Sequence, residues 1–262
     1  MTGRALTDIG TGRPVVFLHG WSVDRSFFAG QHRLAGEGFR VIAPDQAGHR
    51  TGEAAGVLSI ADLAADLAAL LAGLDSPTLL VGWSMGATVA LDHLARHGST
   101  GIAGLVMVDM TPKVANDPGW CLGLADGQSL GEAVAAAERM QAGWPRYAPK
   151  IADALFAEGR EAEADLVTHA RQVIAARDPA VMAHLWRSLV GADHRETIRK
   201  LDVPVLALAG ARSRLYRPEV AAWIATHAPR GAAVSIADAG HMPHAEQPEA
   251  FNAALKAFAA RL

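Results

Sequence analysis

A chain of 262 residues, half of them hydrophobic, is long enough to bury the core of one α/β domain and gives no reason to divide it into several. Its net charge of −3, with acidic and basic residues interspersed, leaves no electrostatic footprint for nucleic acid or an anionic membrane surface. One cysteine, Cys121, excludes an intrachain disulfide and a thiolate metal cluster. Residues 1–14 are polar and glycine-rich, and no run of eighteen apolar residues comes later, so a soluble, cytoplasmic protein is expected. Val15-Val16-Phe17-Leu18 and Arg40-Val41-Ile42-Ala43 are short β-type runs. From Ser59 to Leu74, Ile60, Leu63, Leu67, Leu70, Leu71 and Leu74 form one helical stripe, with Ser59 and Asp62 spaced as a capping box. Leu79-Leu80-Val81, a helix over Ala87 to Arg96, and Leu105-Val106-Met107-Val108 continue the alternation. Residues 112–199 break it, with helical patterns at 128–141, 149–176 and 179–190 and no strand. Strands return at Val205-Leu206-Ala207-Leu208 and Ala233-Val234-Ser235-Ile236, and a last helix begins near Gln247. Near-continuous apolar strands separated by helices predict an α/β fold: a mostly parallel twisted sheet with helices on both faces. Residues 1–111 and 200–262 then form the core domain, and 112–199 a helical cap inserted between two strands.

Gly82-Trp83-Ser84-Met85-Gly86 stands between the run Thr78-Leu79-Leu80-Val81 and the helical pattern after it. Strand, G-x-S-x-G, then helix is the context of a nucleophile elbow, in which a sharp turn exposes the serine hydroxyl. Glycine two positions either side removes the Cβ atoms that would keep strand and helix apart. A serine hydroxyl needs a base, and His241 is placed to be one. It lies in Ala239-Gly240-His241-Met242-Pro243-His244, after the last strand, where an open α/β sheet gathers its reacting groups. His244 is the fallback, better suited to lining the mouth or capping the helix.

These residues resemble the α/β-hydrolase family over nearly the whole chain apart from the cap. Phe17-Leu18-His19-Gly20-Trp21 resembles the first oxyanion loop and Asp45-Gln46-Ala47-Gly48-His49 the D-x-x-G-x-G turn, with Arg50 in place of the usual glycine. Gly82 to Gly86 is the elbow, and Ala239-Gly240-His241 with Glu246-Gln247-Pro248 resembles the histidine loop. The resemblance implies that the backbone N–H groups of Trp21 and Met85 form the oxyanion hole, with His19 bracing that loop. It also implies an acid in a G-x-x-D stretch after the penultimate strand, and here the chain departs: Gly210-Ala211-Arg212-Ser213 ends in serine. A neutral hydroxyl cannot hold an imidazolium, so the acid is sought elsewhere. Asp109 ends the strand after the elbow helix, where some members of the family carry their acid. Asp238, Glu219 and a two-residue dyad are the alternatives.

The expected chemistry is that of a serine hydrolase acting on a carboxylic ester or related acyl bond, with Ser84, His241 and Asp109 as catalytic residues. His19, Trp83, Trp120, Trp144 and Trp186 are the candidate pocket residues around it. No metal or organic cofactor is expected, and the partner is a small, ester-like molecule bound by a monomer or homodimer. Two other readings share these residues. A cofactor-independent dioxygenase would use His241 and Asp109 to deprotonate a heteroaromatic substrate, and a small-molecule receptor would use the fold without catalysis.

Overall fold

The computed structural model describes residues 5–50 and 57–262 of the chain. Among the described residues, seven strands form one sheet: β1 (Leu6–Ile9), β2 (Arg13–Leu18), β3 (Phe39–Pro44), β4 (Thr78–Trp83), β5 (Ile102–Val108), β6 (Val205–Gly210) and β7 (Gly231–Ile236). Their order across the sheet is β1-β3-β2-β4-β5-β6-β7. β1 runs antiparallel to β3, and every other neighbouring pair is parallel. A parallel neighbour requires the chain to cross over the sheet, and the intervening helices make those crossings.

The crossings are a 3₁₀ stretch (Arg25–Glu37) kinked at Phe28, α1 (Ile60–Leu71), α2 (Met85–His97) and α8 (Glu219–His227). α1 opens on the expected capping box: the Ser59 hydroxyl accepts from the Asp62 amide and the Asp62 carboxylate from the Ser59 amide. It buries Ile60, Leu63 and Leu67 and packs along α2. α9 (Pro243–Glu246) and α10 (Pro248–Ala259) close the chain against the 3₁₀ stretch. All six residues of β4 are buried, whereas β7, at the sheet's edge, is mostly half-exposed or exposed. No sequence signal marks β1, because Leu6-Thr7-Asp8-Ile9 is short, carries polar residues and leaves Leu6 and Ile9 exposed on the other edge.

Between β5 and β6 lie α3 (Leu130–Ala142), α4 (Trp144–Ala154), α5 (Ala164–Ala175), α6 (Pro179–Val190) and α7 (Arg195–Lys200). α3 packs on α6 and α4 on α5, and no residue of 112–199 joins the sheet. The helical pattern expected over 149–176 is two helices, because residues 155–157 leave helical geometry to meet the loop that carries His241. The His241 N–H donates to the Leu155 carbonyl, and the Ala157 N–H donates to the Glu246 carboxylate. Among the described residues, no helix is long and apolar enough to cross a membrane.

Candidate active site

Ser84 sits at the carboxyl end of β4 with φ 53° and ψ −122°, a positive-φ conformation that an L-residue adopts only under constraint. The neighbouring glycines supply the constraint. A Cβ on Gly82 would stand 2.4 Å from the Ala87 backbone, and one on Gly86 would stand 2.1 Å from the Leu18 carbonyl oxygen. β2, β4 and α2 can therefore meet around the serine only because both positions lack a side chain. The loop after β2 closes over it as well, since a Cβ on Gly20 would be 3.3 Å from that of Ser84. The Trp21 and Met85 N–H groups, expected at the oxyanion, donate to no other described residue.

His241 and Asp109 meet behind this turn, with Nδ1 2.7 Å from Oδ2 and the two side chains 3% and 2% exposed. Burying a carboxylate so completely is costly unless donors replace its hydration. Three do so: Oδ2 accepts from the Ser213 hydroxyl at 2.6 Å as well as from His241, and Oδ1 accepts from the Gly210 N–H at 3.2 Å. Asp109 has φ 44°, and its own N–H donates to the Leu208 carbonyl at 2.7 Å, so β6 fixes its backbone while Gly210 at the end of β6, Ser213 beyond it and His241 after β7 fix its carboxylate. The imidazole is held at its other margins too. The indole N–H of Trp83 donates to the His241 carbonyl at 2.7 Å, and the rings of Trp83 and Tyr216 lie 5.8 and 5.7 Å from the imidazole. Burial, with the Asp109 carboxylate nearby, pushes the Tyr216 phenol well above its usual range. The other candidate acids stand apart: Asp238 is exposed and pairs with Arg160 and Arg212, and Glu219 opens α8.

The loop after β2 is anchored from two sides. Gln46 N–H donates to Nε2 of His19 at 2.9 Å, which leaves the proton on Nδ1 to bond the Gly20 carbonyl at 2.9 Å. His49 repeats the pattern, its Nε2 accepting from the Ser22 N–H at 3.2 Å. Burial drives His19 down to about 4 and His49 well below its ordinary value, so both are neutral braces. From the helical insertion, the buried guanidinium of Arg177 donates to the Ser22 and His49 carbonyls and to Asp24.

The candidate pocket residues divide into two groups. Trp144 and Trp186 converge on Trp21, with ring centroids 5.8 and 5.0 Å away. Their indole N–H groups are all taken by backbone carbonyls, those of Met182 for Trp21, Ile174 for Trp144 and Ala133 for Trp186. Trp83, His19 and Trp120 lie outside that cluster. Trp83 has no exposed surface and packs beneath the elbow among Phe27, Phe28 and His244, and His19 is equally enclosed in its brace. Trp120 packs against Trp223 of α8 and under Arg195. His244 neither lines a mouth nor caps a helix, but lies fully buried against Trp83, Phe28 and Phe251. Sequence reasoning missed Ser213 as a donor to Asp109, and missed Arg177 and Glu246 as anchors of the two loops. The serine in the G-x-x-D position was the available signal for the first, and the Glu246-Gln247-Pro248 stretch of the histidine loop for Glu246; nothing local marked Arg177.

A model of the Alpha/beta hydrolase family matches residues 15–254. The pimeloyl-[acyl-carrier protein] methyl ester esterase of Methylococcus capsulatus is 31% identical over 252 residues, covering 92% of this chain and 92% of that protein. The AB hydrolase superfamily protein YisY of Bacillus subtilis is 26% identical over 258 residues, 96% of this chain and 93% of its own. Among solved structures, a thermophilic esterase from Thermogutta terrifontis, malate bound, superposes with a TM-score of 0.84 at 29% identity, over 98% of this chain and 93% of that one. The esterase EaEST from Exiguobacterium antarcticum gives 0.88 at 24% identity over 97% and 94%, a likeness of fold.

Proposed function

This chain belongs to the alpha/beta hydrolase family and is a hydrolase of the esterase type, and from that premise we propose that it cleaves a small, largely apolar ester, lactone or thioester through an acyl-enzyme on Ser84. Ser84 Oγ attacks the carbonyl carbon while His241 Nε2 takes its proton, and Asp109 holds the proton on Nδ1 and stabilises the imidazolium. The carbonyl oxygen becomes negative and is held by the Trp21 and Met85 N–H groups. Collapse breaks the bond to the leaving group, which takes the proton from His241. A water then gives its proton to the same nitrogen, attacks the acyl carbon and frees the acid and the serine. Residues 112–199 serve as the cap, and Trp21, Trp144 and Trp186 form the apolar wall on the acyl side. With every indole N–H already bonded to backbone, that wall offers carbon surfaces and favours an apolar acyl group.

The observation that carries the reading is the buried pair of His241 and Asp109, Nδ1 to Oδ2 at 2.7 Å, in the loops beside the strained turn at Ser84. The test is turnover of p-nitrophenyl acetate and butyrate and of aliphatic methyl esters, the last because relatives are named methyl ester esterases. A fluorophosphonate probe should inactivate the protein with one label, on Ser84, and Ser84→Ala should lose both label and turnover. Unchanged ester hydrolysis in Ser84→Ala would reject the acyl-enzyme.

A further inference from the structure

Ser213 carries no charge, yet its hydroxyl is the shortest contact of the buried carboxylate, 2.6 Å from Asp109 Oδ2. A hydroxyl has one proton to give and two lone pairs to accept with. The Leu215 and Tyr216 N–H groups point at Ser213 Oγ from 3.3 and 3.5 Å and occupy its accepting side. Its proton is thereby directed to Asp109. The receiving oxygen is the one that also faces His241 Nδ1 at 2.7 Å, so two donors share Oδ2 while the Gly210 N–H holds Oδ1. A carboxylate bonded at both oxygens cannot turn about its χ2 without breaking a bond.

We propose that Ser213 is a positioning residue for the reaction: by donating to the oxygen that pairs with His241, it fixes the carboxylate in line with Nδ1 and limits how strongly that carboxylate attracts the imidazole proton. The proposal rests on the triad described above. It accounts for a hydroxyl at a place where a carboxylate would be the obvious group. A second carboxylate within about 3 Å of Asp109 would force one of the two to keep a proton, and the imidazolium would face a neutral acid or a disordered pair. A hydroxyl adds a bond and no charge. It also spreads the negative charge of Oδ2, which keeps the base from becoming so strong that it stays protonated at working pH.

The experiment compares the wild type with Ser213→Ala and Ser213→Thr, following kcat, KM and the pH profile of kcat/KM on p-nitrophenyl butyrate. Losing a hydrogen bond to a charged group should lower kcat in Ser213→Ala by about tenfold to a hundredfold, with KM little changed. The acid limb of the profile should move to higher pH by roughly half a unit, because an unshared Oδ2 binds the imidazole proton more tightly. Ser213→Thr retains the hydroxyl and should restore both. A purely structural role would lower the amount of folded enzyme without moving the pH midpoint. If Ser213→Ala does not fold, Ser213→Cys keeps the volume with a weak donor and should show the same shift. Wild-type kcat and midpoint in the Ala or Cys variant, alongside a crippled Asp109→Asn, would overturn the role of Ser213 and leave the hydrolase reading intact. Wild-type activity in Asp109→Asn would instead remove the triad on which the proposal stands.

Discussion

Asp109 is the residue on which the proposed mechanism places the most demands. Its backbone is left-handed at φ 44°, its side chain is almost wholly enclosed, and three donors converge on it. Short polar residues tolerate that backbone better than others, and a strained, buried carboxylate persists where the surroundings fix it from several sides. Replacing it by asparagine keeps the volume and removes the charge. Without the carboxylate, the neutral imidazole can adopt the wrong tautomer, and the imidazolium of the proposed acylation loses its partner. Asp109→Asn should therefore lower kcat by ~10⁴-fold while KM stays within a few-fold, measured by steady-state hydrolysis of p-nitrophenyl butyrate. A drop of less than about tenfold would reassign the acid. The carboxylate that meets His241 was legible because it ends an apolar strand and a charged histidine needs a counterion. Ser213 stood out only as a departure from G-x-x-D, because the value of a hydroxyl depends on which group it faces, and the group it faces lies 104 residues away.

At the scale of elements, the turn between β4 and α2 is a packing problem before it is a chemical one. α2 is buried along Met85, Gly86, Ala87, Val89 and Ala90, and it reaches β2 so closely that Gly86 abuts the Leu18 carbonyl. A methyl group there cannot be relieved by a rotamer change, since the obstacle is backbone. Gly86→Ala should push α2 off β2 at a cost of about 3 kcal/mol, seen as a lower urea midpoint, and should slow fluorophosphonate labelling of Ser84 as the Trp21 and Met85 amides proposed to hold the oxyanion part. A midpoint equal to wild type would mean that the helix slides freely and that the glycine is not required. The parallel strands could be read from sequence because burial on both faces leaves unbroken apolar runs, as in Leu79, Leu80 and Val81. The break between α4 and α5 left one local mark, Gly159 at φ 69°. Its cause is tertiary: Gly240 packs directly on Phe156 and Ala157, and Glu246 accepts from the amides of Ala157 and Gly240. Helical periodicity within 149–176 contains no trace of those partners.

Across the whole molecule, buried histidines set how the fold meets acid. His19 is driven down to about 4 and His244 to about 3, and His49 falls well below the ordinary value; desolvation is the first cause in each. His93 and His194, less completely enclosed, are lowered for the same reason. An unfolded histidine takes up its proton near about 6.5, so between that pH and about 4 the unfolded chain binds more protons than the native one, and stability falls as pH falls. Each fully buried histidine contributes up to ~1.4 kcal/mol per pH unit in that window. Glu246 works the other way, since burial raises its carboxyl and the native state binds that proton more readily, but it is one group against His19, His49 and His244 together. The urea midpoint should drop steadily from about pH 7 to about pH 5. His244 separates this account from general acid weakening, because neither of its ring nitrogens has a hydrogen-bond partner among the described residues. A buried polar group without a partner costs about 1–3 kcal/mol, and an apolar side chain of similar size recovers it. His244→Leu should raise the midpoint at neutral pH, flatten the decline toward acid and leave ester turnover near wild type. A decline as steep in His244→Leu as in the wild type would show that the ring is hydrated and titrates normally, and would shift the acid sensitivity to His19 and His49 alone.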